Sequence, residues 1–139
     1  MIRTIGMLTA TAFLASACAG DSDTKLANDC VILAADPEAQ ENFADMNADT
    51  ESFCACLVEL TDAKSVEDQT SINLAMATIT AKMQETGQGA EDVIGPMMSQ
   101  AMAQPDDEEA QALITGVQKT GNLIDEIQDA FEAGTCSRS

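Results

Sequence analysis

Ser52-Phe53-Cys54-Ala55-Cys56-Leu57 sets a C-x-C pair into an amphipathic stretch, and the direction of its two sulfurs decides how the chain folds. On a helix each residue advances by about 100°, so cysteines two apart diverge by about 200° and cannot readily bond to each other. Phe53, Cys56, Leu57 and Leu60 recur at i, i+3, i+4, i+7 and mark one face, while Cys54 and Val58 mark the opposite one. Each sulfur therefore meets a different segment. One partner is Cys30, on the apolar stripe Leu26, Cys30, Leu33 and Ala34 of a helix expected over Thr24 to Ala35. The other is Cys136, just past the natural C-cap Gly134. Two disulfides are expected, Cys30 taking one member of the pair and Cys136 the other, with the choice of member open.

Helical signals continue on both sides of the pair. Asp36-Pro37-Glu38 ends the first helix and starts a weak second one to about Met46, with Phe43 and Met46 as its apolar surface. The C-x-C helix is placed at Thr50 to Asp62. Ser65-Val66-Glu67-Asp68 opens a long helix to Glu85 whose stripe is Ile72, Met76, Ile79 and Met83, closed by Gly87 and Gly89. A shorter helix over Glu91 to Gln104 turns Ile94, Met98, Ala101 and Met102 inward and is interrupted near Gly95-Pro96. The last section, from Pro105 to Ala133, carries Leu113, Val117, Ile124, Ile127 and Phe131. Gly116 and Gly121 each weaken its middle by up to about 1 kcal/mol relative to alanine, so it can divide near Thr120-Gly121. No strand-length alternating run interrupts the pattern. The expected fold is all-α, a small disulfide-stapled bundle of about five helices forming a single domain over 24–139.

The N-terminus reads differently. Met1-Ile2-Arg3 carries one positive charge, Ile5 to Leu14 is apolar, and Ala15-Ser16-Ala17 precede Cys18. That order is expected of a secretory signal peptide over residues 1–17. Its apolar run is shorter than the roughly 20 residues of a membrane span. Leu14-Ala15-Ser16-Ala17-Cys18 resembles a bacterial lipobox, with Ala15 where the motif usually has leucine. The resemblance implies a lipoprotein in which Cys18 is the lipidation site, bearing palmitate-type acyl chains that hold the protein in the lipid bilayer. Ala19 lacks the aspartate of inner-membrane retention, so attachment to the outer membrane and exposure to the periplasm are implied. Ordinary signal-peptidase cleavage at either A-x-A site is the competing reading. Residues 18–23 form the tether. Of the five cysteines, an even four remain once Cys18 is lipidated, as a disulfide framework requires.

Charge and composition exclude much of chemistry. With 6 basic and 24 acidic residues the chain carries a net charge of -18, and cleavage before Cys18 removes Arg3 and no acid, giving -19. Such a surface repels nucleic acid and anionic headgroups. It suits a solubilising role or docking of a basic partner. The 139 residues contain no His, Trp or Tyr, which removes the commonest general base and metal ligand together with the best aromatic platforms for sugars and bases. No enzyme activity and no cofactor are expected. The first functional reading is a lipid-anchored binding or scaffolding module of the cell envelope with an unidentified, basic envelope protein as partner.

Two alternatives rest on local motifs. Cys54 and Cys56, as free thiols, would suit thiol or copper handling, although the surrounding acids raise thiol pKa values. Met98 and Met102 share a face at i, i+4, a spacing at which thioethers can hold Cu(I) and also one at which methionine fills a core. Asp45, Asn47, Asp49 and Glu51 lie at positions 1, 3, 5 and 7 of a stretch that resembles the first half of an EF-hand loop, which implies a weak calcium-binding adaptor. Thr50 stands where that loop has glycine and Cys56 where it has glutamate. The plainer role for the same residues is an acidic turn that caps a helix.

Overall fold

The computed structural model describes residues 20–136; the expected signal peptide over residues 1–17 and the lipidation site Cys18 lie outside them. Among the described residues six helices follow one another: α1 Gly20–Ala34, α2 Pro37–Asp45, α3 Thr50–Asp62, α4 Val66–Thr86, α5 Ala90–Met102 and α6 Glu108–Ala133. No strand occurs among the described residues. The all-helical class is as expected, with six helices rather than about five.

The helices depart from the sequence pattern most at three places, besides shifts of one to three residues at other ends such as α6 starting at Glu108 rather than Pro105. α1 begins at Gly20 rather than Thr24, so residues 20–23 of the expected tether are helical, with Asp21 and Asp23 in the first turn where the macrodipole favours acids. α5 runs through Pro96 without a break. Pro96 and Asp92, the residue whose carbonyl loses its donor, are both exposed, so water can satisfy that carbonyl. α6 is a single helix of 26 residues that passes through Gly116 and Gly121. Packing along one whole face outweighs the propensity cost of two glycines.

α4 and α6 form the most extensive helix pair, α1 packs on α3 and α4, and α5 leans on α6 and α4. The main core gathers Leu26, Cys30, Phe43, Phe53, Leu57, Ile72, Met76, Leu123, Ile127 and Phe131 from five helices. A smaller cluster of Ile79, Met83 and Val93 lies under α5. The whole expected stripe of α4 is buried. On α5 the inward residues are Val93 and Ala101, while Met102 is 69% exposed, a correction to the expected inward stripe. On α6 the buried line is Ala110, Gly116, Thr120, Leu123, Ile127 and Phe131, and the larger Leu113, Val117 and Ile124 are only half-buried beside it. Small residues face α4 because the two helices approach closely there: a Cβ on Gly116 would lie 2.9 Å from Ala75 Cβ and closer still to the Ser71 carbonyl oxygen.

Two disulfides staple this arrangement. Cys30 of α1 bonds Cys54, and Cys56 bonds Cys136 beyond α6, each with a Cα–Cα distance of 5.7 Å. The divergence of the two sulfurs on α3 thus sends one to the start of the domain and one to its end. Delivery of Cys136 depends on Gly134, whose left-handed φ of 70° closes α6 while the Thr135 amide donates to the Ala130 carbonyl at 2.9 Å.

Candidate functional site

Three places could carry chemistry: the cysteine pair, the Asp45 to Glu51 turn, and the clefts between helices. In the folded chain both sulfurs of the C-x-C are in disulfides and almost fully buried, so neither presents a thiolate. The pair acts as a junction.

The Asp45 to Glu51 turn joins α2 to α3, and its polar residues serve the helix ends. Asn47 takes the left-handed conformation at φ 51°, and the Asn47 and Ala48 amides donate to the Ala44 and Phe43 carbonyls at 3.1 and 2.9 Å. That is a Schellman closure with asparagine in the place glycine usually holds. Asp49 then caps α3: its carboxylate accepts from the Ser52 amide at 2.8 Å, and Ser52 Oγ accepts from the Asp49 amide at 3.2 Å. The Ser52 backbone bond, with its hydroxyl second, holds the Asp49 carboxyl below its ordinary pKa. Asp45 and Glu51 sit at the end of α2 and in the first turn of α3, both exposed. Among the described residues, no group of three or more acidic, cysteine or histidine side chains is arranged to hold a metal ion.

Asp36 does something the sequence pattern only half reveals. Its carboxylate accepts the Glu38 amide at 3.0 Å, capping α2, and its other oxygen accepts the Ala90 amide, capping α5 54 residues away. The N-cap residue of α5, Gly89, has no side chain of its own, and a Cβ there would stand 2.9 Å from Asp36 Oδ2. One buried carboxylate therefore ties two helix N-termini together, and the missing signal was the paired absence of a capping side chain at residue 89. Asp36→Ala leaves both termini uncapped, and we expect a loss of about 2 kcal/mol. Urea denaturation measures it, and a loss no larger than that of an ordinary single cap would show that the Ala90 bond contributes nothing.

Beside Asp36 opens a groove of about 730 Å³. Its floor is apolar: Phe43, Met76, Ile79, Ile94, Val117 and Ile124. Its mouth is acidic, with Glu38, Glu41 and Asp45 along α2 and Glu91 on α5, and no lysine lines it. The Glu38 carboxyl titrates above its ordinary value, first because Glu91 repels its charge, then through partial desolvation and further repulsion from Asp36, Asp92 and Glu41. Val117 and Ile124 were expected in the core; they are half-buried here because Thr120 and Leu123 take the inward positions.

A second and wider cleft, of about 1040 Å³, lies among α4, α5 and the start of α6. Leu74, Met97 and Leu113 line it, but so does Lys82, already paired with Glu85. Its edge is thus of mixed charge, unlike the first.

No family model, curated protein or solved structure matches this chain. The candidate site is a largely apolar groove whose mouth carries carboxylates with no ion-pair partner among the described residues. Such a place can hold an apolar surface edged with positive charge. Among the described residues, no helix is long and apolar enough to cross a membrane.

Proposed function

We propose that this protein is an exported, lipid-anchored binding module of the bacterial cell envelope, attached to the outer membrane through acyl chains on Cys18 and facing the periplasm. It engages a basic envelope protein and catalyses no reaction of its own. The acid-mouthed apolar groove carries this reading, because its lining combines large apolar side chains with carboxylates and no lysine, whereas the wider cleft is lined by Lys82 as well. The N-terminal pattern of a short apolar run ending at Cys18 supports the anchor. Two disulfides fit an oxidising compartment. A sequence without histidine or tyrosine fits a binding role better than acid–base catalysis.

Intact-mass spectrometry of the protein from membranes of an expressing bacterium tests the proposal. The expected species starts at Cys18, carries a diacylglyceryl group and amide-linked acyl chain, and gains the mass of four hydrogens on reduction of its two disulfides. A chain that keeps Met1 and remains in the cytoplasm overturns export. A chain cleaved at an A-x-A site without lipid overturns the anchor.

A further inference from the structure

The groove bordered by α2 and α5 has a shape of charge that narrows what it can hold. Glu38, Glu41 and Asp45 stand at i, i+3 and i+7 on α2, a row about 10 Å long down one margin. Glu91 faces them from α5 and repels the Glu38 charge, and among the described residues no lysine pairs with this edge. The four described lysines are Lys25, Lys64, Lys82 and Lys119. Three are committed elsewhere, Lys64 to Glu126, Lys82 to Glu85 and Lys119 to Asp68. Below the row, half-buried Met46, Ile94, Val117 and Ile124 leave apolar surface open to an occupant.

Resting on the reading of the chain as a binding module, we infer that this groove receives the apolar stripe of a basic amphipathic helix from a partner protein, its lysines or arginines lying along Glu38, Glu41, Asp45 and Glu91. The row of carboxylates at helical spacing matches cations at i, i+3 or i+4, and i+7 on a helix laid beside α2, and the apolar floor matches the stripe between them. A single small amine meets only one point of that row. A second copy of this chain brings 24 acids against 6 basic residues and is repelled. An anionic bilayer surface is repelled for the same reason.

The test is titration of the full chain, disulfides intact, with a synthetic helix bearing leucine at i, i+3, i+4 and i+7 and lysine elsewhere. Calorimetry and methionine-methyl NMR read the result. Saturable one-to-one binding is expected, with the methyl signals of Met46 and Met76, which line the groove, moving and those of Met97 and Met102 staying still. Glu38→Gln, Glu41→Gln and Asp45→Asn combined weaken binding by about tenfold, since each removes one exposed ion pair. Because these side chains are exposed, the variant keeps its fold, and circular dichroism checks that it does. Absence of saturable binding overturns the inference. So does equal binding by a peptide with its leucines changed to serine, which would mark mere charge attraction, or by one with its lysines changed to glutamate, which would mark mere apolar adhesion. Unchanged affinity of the triple variant, or movement of Met97 in place of Met46 and Met76, also overturns it. Failure here leaves the mass of the lipidated chain as it was, and failure of the anchor leaves this titration readable, so the two readings fall separately.

Discussion

Replacing Cys56 and Cys136 together by alanine lowers the free energy of unfolding by about 4 kcal/mol, and replacing Cys30 and Cys54 lowers it by about 3. The order follows from loop length. The Cys56–Cys136 bond spans 80 residues and the Cys30–Cys54 bond 24, and cross-linking a longer loop removes more freedom from the unfolded chain. Position in the fold points the same way: the Cys56–Cys136 bond fastens the turn beyond α6 to α3, whereas Cys30 lies within α1, a helix that also packs on α3 and α4. Either loss is a large fraction of the roughly 5 to 15 kcal/mol that keeps a domain folded. Double variants are the right comparison because a lone buried thiol could exchange with the surviving disulfide. Urea denaturation gives both values, and equal midpoints with equal slopes would falsify the loop-length account.

The C-x-C pair made the architecture legible because helix geometry is strict: a two-residue spacing puts the sulfurs on different faces whatever else the chain does. The same holds for α4, where Ile72, Met76, Ile79 and Met83 are large, regularly spaced and all buried. Legibility fell where size and burial part company. On α6 the branched residues Leu113, Val117 and Ile124 suggest the inner face, yet the chain turns Gly116 inward, where α4 comes too close for a Cβ, and Thr120 is buried on the same line. Sequence periodicity weighs apolar bulk and cannot weigh proximity. The groove was hidden by the same displacement, since Val117 and Ile124 line it only because they are rotated out of the core. Asp36 was legible as the cap of α2 from the Asp-Pro-Glu pattern. Its second bond, to α5, joins residues 54 apart and depends on the tertiary fold. The Asp45 to Glu51 turn shows the converse: alternating oxygen side chains resemble a cation loop, and in the fold Asn47 and Asp49 close one helix and open the next.

Gly116→Ala destabilises the protein by about 1 to 2 kcal/mol and Gly116→Val by about 3, while Gly121→Ala, five residues along the same helix, stabilises it by about 0.5 to 1. Helix propensity alone gives both alanines the same sign, because alanine loses less backbone entropy than glycine and shields the backbone from water. Surroundings separate them. Gly121 is exposed, and a Cβ built on it meets nothing within 4 Å. A Cβ on Gly116 meets Ala75 Cβ at 2.9 Å and presses on the Ser71 carbonyl oxygen, a backbone atom inside α4 that cannot rotate away. The only relief is to part the two helices that form the most extensive contact in the molecule. Parting them loosens Ile72 and Met76 against Leu123 and Ile127, so the cost spreads through the main core. The ion pairs Lys119–Asp68 and Lys64–Glu126 also tie α6 to α4 and to the turn before it, but partly exposed pairs of this kind contribute about 0 to 1 kcal/mol each and cannot offset the strain. Thermal and urea unfolding of the three variants decide the matter, and a stabilised Gly116→Ala protein would mean that α4 and α6 are not in the close contact on which the bundle depends.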